Sequence, residues 1–276
     1  MEISAVIITL NEERRLPWAL ESLALADEVL VVDCGSTDGT PQIAERYGAR
    51  LISHPWQGYS QQKNFADSQA KYPWILSLDA DEALSPELAE EIEQLKQKGP
   101  GDAAGFLMPR MARYQGRWIR HSGWYPDCKL RLYDRRRGRW VGDYVHERVE
   151  VDGPVRELKA DLQHFTGDSR EQLFRTMERY TTLAAQESFD RRERWILPKM
   201  LAGPPWKFLE TYFFRQGFRD GFPGLVIATM AGRYVFLRYA KLWQMARGKG
   251  KASVADQDES ASRPAGSGER RAHPPH

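Results

Sequence analysis

Short apolar runs alternate with amphipathic stretches along the first hundred residues of the chain. The runs at 3–9, 28–33, 50–53 and 74–78 are short and largely apolar, and each predicts a buried strand. Between the first two runs, apolar positions recur at helical spacing, and helical stretches also follow the second and third runs. Because strands and helices alternate at short intervals, we expect an α/β fold whose parallel sheet is covered by helices on both faces.

Polar residues mark the expected beginnings of two helices. Asn11 follows the first strand and is expected to cap a helix whose first turn contains Glu12 and Glu13. Ser85 occupies a favourable N-cap position, and the helix that it begins should end at Lys98, before a run of Gly and Pro.

The pattern changes after residue 100. The segments 105–109, 129–133 and 145–151 are short and strand-like, and Gly, Pro and charged clusters separate them without a long helix between. This pattern indicates a mixed sheet in the second half rather than further β-α-β units. A helix is expected from Ser169 to about Arg192.

Residues 195–246 have a different pattern, in which aromatic side chains are interleaved with Lys and Arg. The spacing predicts two basic amphipathic helices that are joined near residues 221–224. Helices of this kind lie in the headgroup region of a membrane; the alternative is a helical cap packed on the domain or in a homo-oligomer. Residues 248–276 are rich in Gly, Ser, Pro and charged residues, which predicts a disordered tail.

The composition is that of a soluble globular protein, with 41% hydrophobic and 28% charged residues, and 276 residues suffice for one large domain with appendages. Cys34 and Cys128 match no metal-binding spacing and cannot form a disulfide framework, which favours a reducing compartment. The N-terminus lacks the features of a signal peptide, and no stretch is long and apolar enough for a transmembrane helix. These features lead us to expect a cytoplasmic protein.

The net charge of +2 conceals a gradient along the chain. Residues 1–100 contain 17 acidic and 8 basic residues, whereas residues 191–251 contain 13 basic and 3 acidic residues. The first segment is therefore suited to holding cations, and the second to meeting an anionic partner such as anionic lipid.

Three of the predicted strands end in polar side chains, which are Asn11, Asp33 and the pair Asp79 and Asp81. The C-terminal ends of parallel strands share one sheet edge, where ligands bind in open α/β sheets, so these groups should form one acidic crevice. Only one small residue separates Asp79 from Asp81, and such hard oxygen ligands suit Mg²⁺ or Mn²⁺ shared with substrate phosphates. Neither a Gly-x-Gly-x-x-Gly sequence after the first strand nor a Walker loop occurs, which excludes a glycine-rich phosphate cradle.

Four segments in a specific order carry a family resemblance. They are Val6–Glu12, Val31–Thr40, Gln62–Asn64 and Leu78–Glu82. The sequence resembles the inverting family-2 glycosyltransferases, which implies the GT-A fold, a Rossmann-like mixed sheet flanked by helices. The second half is similar to the WaaE-type subgroup that builds the lipopolysaccharide core, through Tyr144–Glu147, His164 and Phe218–Leu225.

The resemblance implies a role for each candidate residue of the site. The nucleotide-sugar pocket would be formed by Thr9, Asn11, Glu12, Asp33, Lys63 and Asp79. The divalent cation, Mg²⁺ or Mn²⁺, would be held by Asp79, Asp81 and His164. Asp33 would pair with the uracil ring of a UDP-sugar, and the cation would neutralise the diphosphate as it leaves.

An inverting transfer requires one general base, because an acceptor hydroxyl must displace the diphosphate in a single step. Glu147, from the His-Glu pair after a predicted strand, is the candidate, and Asp127 is the rival. The basic run at 135–139 is either a solvated loop or a contact for an acceptor phosphate. Trp118 and Trp124 either stack on sugar faces or belong to the core.

Residues 1–192 are expected to form the GT-A domain, with a nucleotide-sugar half at 1–100 and an acceptor half at 101–192; membrane-associating helices follow at 193–247. The implied function is transfer of a hexose, with glucose expected, from a UDP-sugar to the lipopolysaccharide inner core or a similar lipid-linked glycan. The implied place is the inner face of the inner membrane, against anionic lipid and without a nucleic-acid partner.

Three other functions are considered. One is a transferase for another lipid-linked acceptor, one is a non-catalytic membrane adaptor, and one is a phosphatase with Asp79 as nucleophile. The phosphatase is disfavoured because its Asp-x-Asp motif would follow the first strand rather than the fourth.

Overall fold

A computed structural model of the protein describes residues 1–142, 147–166 and 170–247. Its strands are β1 (Ile3–Thr9), β2 (Glu28–Asp33), β3 (Arg50–Ser53), β4 (Trp74–Asp79), β5 (Glu82–Leu84), β6 (Gly105–Tyr114), β7 (Arg117–Trp118), β8 (Asp127–Asp134), β9 (Gly138–Val141), β10 (Arg148–Val151), β11 (Val155–Glu157) and β12 (Leu162–Phe165). Its α-helices are α1 (Leu16–Glu21), α2 (Thr40–Arg46), α3 (Tyr59–Gln69), α4 (Pro86–Lys98), α5 (Arg170–Asp190), α6 (Ile196–Leu209) and α7 (Phe222–Ala246). A π-helical turn (Glu210–Phe214) and a 3₁₀ turn (Gly217–Asp220) lie between α6 and α7.

The main sheet has a parallel half and a mixed half, in the strand order β3-β2-β1-β4-β8-β6-β12-β5. The first four of these strands run parallel, whereas β8 is antiparallel to both β4 and β6. β12 runs parallel to β6 and antiparallel to β5, and β9 and β10 form a separate hairpin. This arrangement confirms the predicted GT-A fold, including the change to a mixed sheet after residue 100.

The hydrophobic core lies on both faces of the sheet, because successive side chains of a strand point to opposite faces. On one face, Ile3 and Ile7 of β1 belong to a buried cluster that also contains Leu16 of α1 and Leu88 of α4. Val6 of the same strand belongs to a second buried cluster with Ala66 of α3. Helices therefore cover both faces of the parallel half, as the alternating pattern predicts.

One predicted helix cap is confirmed and the other is wrong. The Ser85 hydroxyl accepts a hydrogen bond from the Leu88 amide at 3.1 Å, as an N-cap should. Asn11 does not cap α1, which begins at Leu16 with Arg15 in the N-cap position. Asn11 has a φ of 56°, which Asn tolerates, and its side-chain oxygen instead accepts a hydrogen bond from the Thr37 amide at 2.8 Å.

The C-terminal helices pack against the sheet domain as well as against each other. Ile227 of α7 shares a buried hydrophobic cluster with Tyr114 and Ile119, and α7 also contacts α5 and α6. The two predicted amphipathic helices are present, but the connection between them begins before residues 221–224 and includes the π-helical and 3₁₀ turns. The predicted domain boundary between residues 192 and 193 therefore separates α5 from α7, although these two helices pack against each other.

Several predictions fall outside the described residues: the segment Tyr144–His146, the Ser169 cap and the tail at 248–276. Within residues 1–142, 147–166 and 170–247, none of the helices combines the length and the apolar character needed to cross a membrane.

Candidate active site

The parallel half of the sheet brings the predicted donor residues to one edge. Thr9 and Asp33 are paired in the β1–β2 register, and Ile8 is paired with Asp79 in the β1–β4 register. The Thr9 hydroxyl donates a hydrogen bond to Asp33 Oδ1 at 3.1 Å. The carboxyl ends of three adjacent strands therefore meet, as the sequence predicts.

Asp33 organises the turn that follows β2. Its Oδ2 accepts hydrogen bonds from the Gly35 and Ser36 amides, each at 2.9 Å, and its side chain is buried. Asn11 holds the next residue of the same turn through the Thr37 amide. These two side chains thus shape the turn after β2, and their expected contacts with a nucleotide remain predictions.

Both oxygens of Asp79 already have cationic partners. Lys63 Nζ lies 2.7 Å from Oδ1, and Arg131 Nη2 lies 2.5 Å from Oδ2. Burial by itself would raise the pKa of Asp79, but Arg131 and Lys63 hold that pKa far below its usual range. Asp79 is therefore an ionised anchor for two cations, and the geometry makes it a weaker candidate for a metal ligand than Asp81.

A chain of alternating charges continues from Asp79 into the second half of the domain. Glu82 is completely buried, and its Oε1 lies 2.7 Å from Arg131 Nη2 and 3.1 Å from Arg110 Nη1. Arg110 in turn lies 2.6 Å from Asp127 Oδ2. Neither arginine was predicted as a site residue, although a signal was present for Arg131, which interrupts an apolar strand between Leu130 and Leu132.

Replacing Arg131 with Met is expected to lower the free energy of unfolding by about 3–5 kcal/mol, because Glu82 would keep its burial and lose its closest cation. Urea denaturation of the variant and the wild type measures this difference. The matched control is Arg191→Met, which removes an exposed ion pair with Glu187 on α5 and should leave the unfolding midpoint unchanged. An equal loss of unfolding free energy in both variants would contradict a stabilising role for the buried charges.

Asp81 and His164 are brought together by the pairing of β12 with β5. His164 lies opposite Glu82 in that antiparallel register, and its Nε2 is 3.4 Å from Asp81 Oδ2. The Phe165 amide also donates to the Asp81 carbonyl at 2.8 Å. The same carboxylate oxygen lies 3.5 Å from Arg15 Nη1, so Asp81 is less closely neutralised than Asp79.

The side chains of Asp81 and His164 fit a divalent cation that is shared with a substrate. In the part of the chain that the structure describes, no three His, Cys, Asp or Glu residues cluster as a complete protein cage would require. Mg²⁺ is commonly bound by one or two carboxylates plus substrate phosphates, and Mn²⁺ also accepts imidazole nitrogen. Asp81 and His164 supply one carboxylate and one imidazole at the sheet edge.

Glu12 contributes further negative charge to the same crevice. Its Oε2 is buried and forms an ion pair with Arg15, whose Nε lies 3.0 Å away. Burial raises the pKa of Glu12; Arg15 opposes this effect, while Asp81 and Asp38 add to it. Acidic side chains therefore lie close together at this edge of the sheet, and their predicted role in binding remains a prediction.

A cavity of about 420 Å³ opens beside His164, and we call it the His164 cavity. It is lined by Arg110, Ala112, Gly123, Trp124, Pro126, Asp127, His164 and Thr166. Burial would raise the pKa of Asp127, but Lys129 and Arg110 lower it, so this carboxylate is ionised. One wall of the cavity thus carries a charged side chain and an indole ring, which are suited to sugar hydroxyls and a sugar face.

Glu147 lies directly before β10, and its Oε2 is buried without a hydrogen-bond partner among the described residues. It is not one of the residues that line the His164 cavity. Its hairpin is held against α3, because Asn64 makes two hydrogen bonds of 2.9 Å to the backbone of Trp140 on β9. Lys63 Nζ lies 4.0 Å from the centroid of the Trp140 ring. Since Lys63 also pairs with Asp79, α3 connects this hairpin to Asp79.

The basic run at 135–139 is largely occupied by structural contacts. Arg135 donates to the Asp67 carbonyl at 2.6 Å, Arg136 pairs with Asp134 at 2.6 Å, and Arg137 donates to the Asp152 carbonyl at 2.8 Å. These contacts favour the structural interpretation of the run over an acceptor-phosphate site.

Comparison with known proteins decides the family. Residues 4–149 match the sequence profile of glycosyl transferase family 2. The chain belongs to this family. It is 32% identical over 263 residues to the lipopolysaccharide core biosynthesis glycosyltransferase LpsC of Rhizobium meliloti (strain 1021), covering 93% of this chain and 97% of that protein. It is 34% identical over 256 residues to an uncharacterized glycosyltransferase, RT0209, of Rickettsia typhi (strain ATCC VR-144 / Wilmington), covering 88% and 87%.

Among solved structures, S. aureus TarS 1–349 in complex with UDP-GlcNAc is similar at 15% identity and a TM-score of 0.45, over 91% of this chain and 93% of that chain. Membership of family 2 confirms the predicted enzyme class, and it sets aside the phosphatase and the non-catalytic adaptor. The roles of individual residues in binding and catalysis remain predictions.

Proposed function

We propose that this glycosyltransferase moves a hexose, with glucose expected, from a UDP-sugar to the lipopolysaccharide inner core or a similar lipid-linked glycan, with inversion. The observation that carries the proposal is the contact between Asp81, at the donor edge of the sheet, and His164, which lines the His164 cavity. A diphosphate on one side and an acceptor on the other would share that pair. Likeness to LpsC, whose name refers to lipopolysaccharide core biosynthesis, supports the acceptor class.

In the proposed reaction, Asp81 and His164 would hold Mg²⁺ or Mn²⁺, which would supply positive charge to the leaving diphosphate. Thr9, Asn11, Glu12 and Asp33 surround the nucleoside, as the family resemblance implies. An acceptor hydroxyl attacks the anomeric carbon, the bond from that carbon to the diphosphate breaks, and Glu147 takes the hydroxyl proton.

Lys63 and Asp79 complete the donor side. Lys63 is buried between Asp79 and the Trp140 ring, so its positive charge is fixed in position before any substrate binds. A fixed cation beside a diphosphate needs little rearrangement during the reaction, which favours the transition state electrostatically.

A donor screen tests the proposed donor and acceptor. Purified protein is titrated by calorimetry with UDP-, GDP- and dTDP-hexoses in Mn²⁺, in Mg²⁺ and with a chelator, and nucleotide release is measured with and without core oligosaccharide. We expect binding and turnover of a UDP-sugar only, dependent on the cation and faster with the oligosaccharide. If no UDP-sugar binds or turns over, the proposed donor is wrong.

The proposed place of action is the cytoplasmic face of the inner membrane, where the C-terminal helices would lie on anionic lipid. Large apolar side chains there are strongly exposed: Trp195 is 75% exposed, and Phe214 and Phe222 are each 70% exposed. None of the α6 residues is buried, and the surrounding segment is strongly basic. Cys34 and Cys128 are unpaired thiols, which fits a reducing compartment.

Replacing Trp206, Phe214 and Phe222 together with Ser is expected to lower the partition coefficient onto vesicles containing phosphatidylglycerol about a hundredfold, through lost apolar burial. Vesicle sedimentation measures the partition coefficient. Tyr47→Ser, which removes an exposed aromatic from the sheet domain, is the control and should leave binding unchanged. Unchanged binding of the triple variant would contradict docking, and loss of a dimer instead would favour self-association.

A further inference from the structure

The segment Phe218–Leu225 contributes to the family resemblance but has no role in the site described above. It contains the end of the 3₁₀ turn and the beginning of α7. Its acidic residue, Asp220, is 2% exposed, although a carboxylate is costly to bury unless its oxygens are hydrogen-bonded. The contacts of Asp220 therefore indicate what this segment does.

Both oxygens of Asp220 are directed at the loop that follows β7. Oδ1 accepts a hydrogen bond from the Arg120 amide at 3.2 Å and lies 3.0 Å from His121 Nδ1. Oδ2 accepts hydrogen bonds from the His121 amide at 3.1 Å and from the Ser122 hydroxyl at 2.9 Å. One buried carboxylate thus fixes three consecutive residues that lie about a hundred positions earlier in the sequence.

The backbones of the two segments also approach closely. The Ser122 amide donates to the Arg215 carbonyl at 2.9 Å, and Ser122 has a φ of 61°, in the left-handed region. A Cβ atom on Gly217 would lie 2.9 Å from the Ser122 hydroxyl, and one on Gly224 would lie 1.8 Å from the Gly217 carbonyl oxygen. These glycines allow the 3₁₀ turn to fit between the loop and the first turn of α7.

The loop that Asp220 holds leads directly into one wall of the His164 cavity. Gly123, Trp124, Pro126 and Asp127 line that cavity, and they follow Ser122 immediately in the chain. The C-terminal segment does not itself line the cavity, but it holds the three residues that come directly before this wall.

The geometry points to Asp220 as a positioning residue for the acceptor: it fixes residues 120–122, which lead into the 123–127 wall of the His164 cavity, and this cavity takes the saccharide acceptor of the proposed function. The C-terminal segment accordingly supports the acceptor site from outside the cavity, in addition to its proposed contact with lipid. This inference rests on the proposed function for the identity of the acceptor. The contacts between Asp220 and residues 120–122 do not depend on the proposed function.

Asp220→Asn is the first test, because the amide keeps the size of the side chain and loses half of its hydrogen-bond acceptors. With core oligosaccharide released from lipopolysaccharide by mild acid as the acceptor, we expect the acceptor KM to rise about tenfold or more. The affinity for UDP and the rate of donor hydrolysis without acceptor should stay within about twofold of the wild-type values. The reason is that the residues held by Asp220 do not include Asp81 or its partners. Ser122→Ala, which removes one of the four contacts, should raise the acceptor KM less.

Asp190→Asn, on the exposed surface of α5, is the control and should change none of these quantities. Amide hydrogen exchange at residues 120–122 provides a measurement that needs no acceptor and should become faster in Asp220→Asn. Unchanged exchange, or an unchanged acceptor KM in a variant with faster exchange, would overturn the inference. A wild-type enzyme that does not use the oligosaccharide would instead contradict the proposed acceptor. The exchange measurement would still show whether Asp220 holds residues 120–122 in place.

Discussion

An Asp81→Asn variant should transfer sugar about a thousandfold more slowly than the wild type. The Asp81 carboxylate is the negative member of the Asp81–His164 pair, and a neutral amide cannot balance the charge of a divalent cation. The loss of about 4 kcal/mol of stabilisation at the leaving diphosphate gives this factor, since about 1.4 kcal/mol corresponds to tenfold in rate. Steady-state transfer rates with a UDP-sugar, together with Mn²⁺ titrations followed by electron paramagnetic resonance, measure the effect.

The matched control for Asp81→Asn is Asp102→Asn, which changes an exposed carboxylate that is paired with Arg156. It should alter neither the transfer rate nor the Mn²⁺ affinity. His164→Ala should weaken Mn²⁺ binding as well, because it removes the second candidate ligand. An Asp81→Asn enzyme that keeps its full rate and its Mn²⁺ affinity would exclude Asp81 as the metal ligand.

Glu147→Gln is expected to lower kcat by about a hundredfold to ten-thousandfold while leaving the donor KM nearly unchanged. Glu147 is the proposed general base, and its Oε2 has no hydrogen-bond partner among the described residues. The amide of Gln keeps the shape of the side chain but cannot act as a base. Single-turnover rates at saturating donor measure the chemical step directly.

Asp127→Asn separates the two candidate bases. Arg110 and Lys129 already pair with Asp127, and they lower its pKa against the effect of burial, which makes this carboxylate a poor proton acceptor. We therefore expect Asp127→Asn to raise the acceptor KM through the wall of the His164 cavity, with a smaller loss of kcat than in Glu147→Gln. A larger loss of kcat in Asp127→Asn would transfer the role of base to Asp127.

Local sequence patterns are sufficient to predict the parallel half of the fold and the acidic residues at its donor edge. Strand β1 is a largely apolar run, and Asp33 and Asp79 lie at the ends of runs of the same kind. These signals are local, because the side chains that end a buried strand are its immediate neighbours in sequence. The error at Asn11 has a local cause too, since capping and turn-forming residues share the same short polar side chain.

Contacts between distant segments could not be inferred in the same way. No local feature of the sequence indicates that Glu82 is completely buried, because its partners Arg110 and Arg131 come from two other strands. Pairing of charges across a sheet depends on strand order and register, which no single segment of the sequence contains. The resemblance did point to His164, but only the β5–β12 register places it beside Asp81.

Local sequence patterns indicate the α/β class, the acidic ends of the first strands, the basic aromatic C-terminal segment and the resemblance to family 2. Tertiary structure alone decided that Asp79 is held by two cations while Asp81 meets His164, and that the buried Asp220 carboxylate of the C-terminal segment holds a loop of the sheet domain. The physical reason is the range of the interactions. Hydrophobic periodicity and strand ends are properties of neighbouring residues, whereas a buried charge finds its partners only when the whole chain has folded around it.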